Sequence, residues 1–129
     1  MAEKIIDLEK IEIFDNYQIL VNEPGNVVFS TKVVESSLNL YKKAHGGYLF
    51  TLCDSASGMA VRNLKVQTVT LQSNANFLRG ADLGDELTVT AKVSHNGKST
   101  KVVNTIVTNQ NQKTIMQASF TMFVIAQNL

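Results

Sequence analysis

The residues of this 129-residue chain that could do chemistry lie close together. A histidine and two glycines, His45-Gly46-Gly47, open a long apolar segment, and that segment carries one carboxylate, Asp54. If a helix begins at the glycines, its first amides have no internal partner and sit at the positive end of the helix dipole. Glycine lets a ligand oxygen come close, so Gly46 and Gly47 could hold a carbonyl that is acquiring negative charge. The same three residues would also serve as a plain tight turn. Asp54 tips the reading towards chemistry. A carboxylate among apolar neighbours is costly to bury unless something uses it. The structural alternative is an acid that caps a helix or pairs across a subunit contact.

Distance sharpens the reading. Gly46 and Asp54 are eight helical residues apart, roughly 12 Å at 1.5 Å per residue. An amide donor and a carboxylate acting on one carbonyl must both reach it, and from a single helix they cannot. Two copies with antiparallel helices could bring Gly46 of one beside Asp54 of the other, giving a two-fold dimer with two equivalent sites. Cys53 and His45 are kept apart by the same helical distance, so Cys53 reads as a buried inert thiol rather than a nucleophile. His45 and His95 with a single cysteine do not make a metal site. Asn96-Gly97-Lys98-Ser99-Thr100 reads as a hairpin turn with positive φ, and not as a phosphate-binding loop. Lys98 and Ser99 remain candidates for a phosphate contact there, against the plainer reading of a solvated turn.

The elements that must position these residues follow from the patterning. A 44% hydrophobic fraction, 18% charged residues and a net charge of +1 describe one ordinary domain and give no case for nucleic acid or a membrane surface. Neither a secretion signal nor a membrane-spanning run of about eighteen apolar residues is visible, and a cytoplasmic location is expected. Residues 1–24 read as an N-terminal arm or short helix, and residues 25–129 as one domain. Val27 to Val34 is rich in β-branched residues and reads as a strand. Residues 46–62 read as the helix, dense in Ala, Ser, Leu, Met and Gly. Four strand candidates follow: Val66 to Phe77, Glu86 to Val93, Lys101 to Thr108 and Thr114 to Val124. In the second of these, Leu87, Val89, Ala91 and Val93 alternate with polar residues, the mark of an antiparallel sheet with one buried face. The economical assembly is α+β: a twisted antiparallel sheet of five to six strands around one long central helix, the hotdog fold.

At this point the residues resemble a known family. Asn39, then His45-Gly46-Gly47, then Asp54 resemble the hotdog acyl-CoA thioesterases of the phenylacetic-acid pathway. Val69-Thr70-Leu71, Asn76-Phe77-Leu78-Arg79-Gly80, Leu83-Gly84-Asp85-Glu86-Leu87 and Gly97-Lys98 are similar too, so the resemblance covers about residues 25 to 125. It implies a homodimer, often paired into a homotetramer, that hydrolyses an acyl-CoA to a free acid and coenzyme A with no metal or organic cofactor. It implies Gly46 N–H on the thioester oxygen, with Asn39 and His45 near that group. Asp54 of the other subunit would activate water or attack directly, and Thr70 would assist the water. The family usually has a glycine three residues after the asparagine, where this chain has Lys42. That departure bears on the Asn39 loop.

Two other readings stay open on sequence alone. The fold could serve a non-hydrolytic acyl-CoA binder, since fold does not fix function. It could also serve a dehydratase or hydratase, although histidine before aspartate on one helix suits a thioesterase better. Arg79, Lys98 and Arg62 are the candidates for coenzyme A phosphates. Tyr48, Phe50, Met59 and Phe77 are candidates for an acyl tunnel or for ordinary core.

Overall fold

The computed structural model describes residues 16–127. Six strands and one long helix form the fold: β1 (Gln18–Glu23), β2 (Asn26–Lys32), α1 (Gly46–Arg62), β3 (Gln67–Phe77), β4 (Glu86–Asn96), β5 (Thr100–Thr108) and β6 (Thr114–Ala126). A short 3₁₀ turn, Glu35–Ser37, leads towards the helix. The sheet order is β1-β2-β4-β5-β6-β3, and every neighbouring pair is antiparallel. Because β3 follows the helix yet pairs with the last strand, the chain crosses the whole sheet over α1. This is how the sheet comes to wrap the helix.

The helix spans the expected residues, 46–62, and its ends are chemically defined. At its start His45 is the N-cap, with Nδ1 accepting the Gly47 N–H at 2.9 Å. That satisfies one of the orphan amides of a first turn. At its end Arg62 lies in the last turn, where a cation suits the dipole. Leu49, Leu52, Cys53, Ala56 and Ala60 bury the helix against the sheet, with Phe29, Leu87, Val89, Val103 and Phe120 on the other side. Emptying a site such as Phe120 to Ala would cost about 3–5 kcal/mol. The wrapping is incomplete, however. Gly47, Thr51, Asp54, Gly58 and Arg62, three or four residues apart, form a stripe that is only partly covered or open.

Two expectations change. The boundary drawn at residue 24 falls inside a hairpin: Gln18–Glu23 is a strand, paired with β2 from Gln18↔Ser30 to Glu23↔Asn26. The remainder of the expected arm, residues 1–15, lies outside the described residues. The second change is at Gly97, which was expected to need positive φ. The glycines with positive φ are Gly25 and Gly84. Gly97 is required for space instead, since a Cβ there would lie 2.5 Å from His95 Nε2 and 2.9 Å from the Thr100 carbonyl oxygen.

β3 is an edge strand of eleven residues, and most of it is exposed, including Val69, Leu71 and Phe77. Its ladder with β6 runs Thr70↔Met122 and then Gln72↔Thr121, so Leu71 has no opposite residue. That bulge resets the alternation of the strand. Thr70 before it, and Ser73, Ala75 and Phe77 after it, all lie opposite Met122, Phe120, Ala118 and Met116, the buried side of β6. A long, open, partly apolar edge is an unpaired template for another strand.

Candidate active site

The polar entrance of the helix is built from the loop that precedes it. Asn39 Oδ1 accepts the N–H groups of Tyr41 at 2.8 Å and Lys43 at 3.1 Å, and the Asn39 N–H donates to the Lys43 carbonyl at 2.7 Å. Lys42, inside this closed loop, has φ +67°. That is the left-handed region, where glycine is the easy residue. The loop expected to be uncertain because of Lys42 therefore keeps a glycine-type geometry with a lysine in it. The carboxamide oxygen of Asn39 is committed to the turn, and only its NH₂ is left for a ligand.

The loop hands on to the helix through the His45 N–H, which bonds the Ser37 carbonyl at 2.7 Å. Since His45 Nδ1 accepts from Gly47, a neutral His45 carries its proton on Nε2 and presents a donor outward. The Gly47 N–H is thereby used, and the Gly47 carbonyl accepts from Thr51 Oγ1 at 2.7 Å. Gly47, expected to offer an amide to substrate, instead supports His45. Among the described residues none accepts from the Gly46 N–H, so that amide is the free donor of the pair. It opens on a cleft of about 360 Å³ lined by Gly46, Leu49, Phe77, Leu78 and Arg79. A Cβ on Gly46 would sit 3.6 Å from the Phe77 ring.

Asp54 lies elsewhere, in the middle of the helix on its uncovered stripe. Burial pushes its carboxyl above the ordinary carboxylate range, and a hydrogen bond from Thr70 partly offsets this. Thr70 Oγ1 is 3.4 Å from Asp54 Oδ1 and 3.5 Å from Met122 Sδ. Cys53, next to Asp54, is fully buried, and burial raises its thiol to about 11. The Thr105 contact lowers it somewhat and the Asp54 charge raises it further. It is protonated at neutral pH and has no role as a nucleophile.

Within one chain, then, the expected residues fall into three groups. Gly46 and Arg79 line the cleft, with His45 one residue before Gly46, and Arg79 Nη1 also donates to the Thr114 carbonyl at 3.3 Å. Asp54 and Thr70 form the second group. Lys98 and Ser99 form the third, at the hairpin whose Ser99 carbonyl accepts the Val124 N–H. Thr114 and Val124 are ten residues apart on β6, so the first and third groups stand at opposite ends of the sheet, roughly 33 Å apart at 3.3 Å per residue. Of the tunnel candidates, Phe77 lines the cleft, Tyr48 is buried, Phe50 packs on Phe120 at 5.4 Å between centroids, and Met59 packs against the core. Two participants gave no sequence signal: the Leu71 bulge, hidden inside a regular-looking strand, and Met122, which alternation marks only as core. Among the described residues no group of three or more His, Cys, Asp or Glu could hold a metal ion, and no helix is long and apolar enough to cross a membrane.

A single helix cradled by a six-stranded antiparallel sheet, with the free Gly46 amide at its start and an acid at its middle, defines a hotdog thioester hydrolase. Residues 41–116 match the family described as the thioesterase superfamily, and the chain belongs to it. It is 37% identical over 97 residues to the acyl-coenzyme A thioesterase PaaI of Escherichia coli (strain K12), covering 75% of this chain and 69% of that protein. A hypothetical thioesterase from Streptococcus pneumoniae TIGR4, solved with coenzyme A, matches with a TM-score of 0.88 at 48% identity, over 90% of this chain and 94% of that one. The same streptococcal protein has been solved with an aspartate, and separately a threonine sixteen positions later, replaced by alanine. The protein smu.793 from Streptococcus mutans UA159, bound to acetyl CoA, matches with a TM-score of 0.87 at 43% identity, over 93% of this chain and 97% of that one.

Proposed function

We propose that this chain hydrolyses acyl-CoA thioesters to a free acid and coenzyme A, at two equivalent sites that are each completed by a second copy. The observation that carries this reading is the separation of the Gly46 amide from the Asp54–Thr70 pair, combined with the open β3 edge beside both. An antiparallel pairing of β3 with its copy, centred near Ser73, sets Thr70 of one subunit beside Phe77 of the other. Since Phe77 flanks Gly46, Asp54 then faces the Gly46 cleft of the partner subunit. The same pairing turns the Lys98–Ser99 end of one sheet towards the Arg79 end of the other, which suits a long ligand with phosphates at one end.

In this arrangement the Gly46 N–H, at the positive helix end, binds the thioester oxygen as it gains charge. The Nε2–H of His45 and the NH₂ of Asn39 are the neighbouring donors. Asp54, ionised, takes the proton of an attacking water that Thr70 helps to hold, and the thiolate of coenzyme A leaves. Direct attack by Asp54 is the alternative route to the same products. No metal or organic cofactor has a part in it. The homologous structures holding coenzyme A and acetyl CoA support the substrate class. The sixteen-residue spacing of the substituted aspartate and threonine equals that of Asp54 and Thr70. We place the enzyme in the cytoplasm as a homodimer that pairs into a homotetramer, in keeping with its single buried thiol and its open sheet edge.

The test is thiol release from a panel of acyl-CoAs by the native protein, Asp54→Ala and Asp54→Asn, with oligomeric state measured by sedimentation. Fast release by the native protein alone, from a dimer or tetramer, is expected. Equal slow release by all three would make the protein a binder, and an active monomer would refute the shared site.

A further inference from the structure

Thr70 has one hydroxyl proton and two acceptors within reach, and its contacts are unequal in kind. A separation of 3.4 Å is long for O–H···O, whereas 3.5 Å to sulfur is ordinary contact for the larger atom. Met122 is almost completely buried on β6, directly opposite Thr70 in the ladder, so its thioether is fixed beside the hydroxyl. We infer that Met122 is a positioning residue for hydrolysis: its sulfur competes with Asp54 Oδ1 for the Thr70 hydroxyl proton, weakening the hydrogen bond that the carboxylate accepts and leaving Asp54 the stronger base towards the attacking water.

The inference rests on the thioesterase reading, and it explains an otherwise wasteful arrangement. A carboxylate that must accept a proton from water is a weaker base when a neighbouring hydroxyl is bonded to it. Sulfur is a weak acceptor, so it can hold the proton without a strong bond that would have to be broken. Among the described residues no charged group shifts Asp54. Thr70 on β3 bonds it, Met122 on β6 contacts Thr70, and on the helix the neighbouring Cys53 carries a protonated thiol. In the dimer the partner subunit's His45 would join this set.

The test is Met122→Leu, close in volume but without an acceptor. Its readouts are the carboxyl carbon titration of Asp54 by NMR and the pH dependence of kcat. With no sulfur acceptor, the Thr70 proton turns to Asp54. The Asp54 midpoint and the acid limb of kcat should both move to lower pH, and kcat should fall about 2–10-fold, the worth of one hydrogen bond, with KM unchanged. In a Thr70→Val background Met122→Leu should move neither. Thr70→Val alone should shift the Asp54 midpoint less in the native protein than in Met122→Leu. An unmoved midpoint in Met122→Leu, or a shift that persists without the Thr70 hydroxyl, overturns the inference. Absence of hydrolysis by the native protein would instead refute the functional reading, and the titration would still report on the contact itself.

Discussion

Thr70 and Phe77 are seven residues apart on β3, yet both face the helix, because Leu71 is bulged out between them. In a regular strand, residues an odd number apart lie on opposite faces. The bulge lets one strand present Thr70 to Asp54 and Phe77 to Gly46. Deleting Leu71 leaves the two six residues apart, an even spacing, so strict alternation still keeps both on the helix face. We expect the deletion variant to keep its far-ultraviolet circular dichroism, since β3 is an edge strand, and to retain its hydrolysis of acyl-CoA. A loss of about 10²-fold or more, the scale of misplacing a reacting group, would show that the bulge does more than restore the shared face.

The buried carboxyl of Asp54 predicts a stability effect opposite to that of an ion-paired acid. Its folded pKa lies above its unfolded value. The native state therefore binds the proton more tightly, and stability is lost as pH rises from the ordinary carboxylate range through the folded pKa. Asp54→Asn removes that loss. Its Tm should exceed the native Tm at pH 7, and the two should converge in acid below the ordinary carboxylate range. Its kcat should fall by about 10²–10⁴-fold, the usual contribution of a general base. Native kcat should fall on acidification through a midpoint higher than that of a free aspartate. A variant less stable than native at pH 7 would mean that Asp54 makes a structural bond after all.

Asn39 and Asn109 close the same turn in two places. Asn109 Oδ1 accepts from Asn111 and Lys113, its N–H donates to the Lys113 carbonyl, and Gln112 has φ +64°, as Lys42 has φ +67° in the Asn39 loop. The second turn contains none of the candidate site residues, so it measures the structural share of the motif. Asn39→Ala and Asn109→Ala should each cost about 1–2 kcal/mol for two lost acceptor bonds. Only Asn39→Ala, and Asn39→Asp with the oxygen kept and the NH₂ lost, should lower kcat. Lys42→Gly should raise stability by about 0.5–1 kcal/mol, the left-handed penalty less the entropy cost of glycine. Chemical denaturation and steady-state kinetics check both points.

The helix was legible to the residue because His45, the glycines and a non-branched apolar run define it locally. The same holds for the alternating strands, whose period shows in the text. The Asp54–Gly46 problem was legible too, since rise per residue is a property of any helix. Other features depend on who faces whom. That β1 joins the sheet could not be read from Gln18–Glu23, which is largely exposed and carries no buried face. The bulge at Leu71 leaves no mark in composition, because a strand with one unpaired residue has the same letters as one without. Gly47 and Gly46 look equivalent in sequence, and only the His45 ring separates the used amide from the free one.

The shared site makes a prediction that no single-chain site can meet. Gly46→Val places a branched side chain in the cleft beside Phe77 without requiring positive φ, so it blocks substrate at the amide while leaving the fold intact. Asp54→Ala removes the acid. Each variant alone should be inactive. If the amide and the acid of one site come from different subunits, a mixed dimer holds one doubly damaged site and one site with both groups native. Random exchange makes about half of the dimers mixed, each with one working site of two, so equal mixing should restore about a quarter of native activity. The mixture should regain activity only after subunits are exchanged, for example by dilution from mild denaturant, and each variant treated alone should not. A mixture that stays inactive after proven exchange would place Gly46 and Asp54 in the same chain's chemistry, or in none.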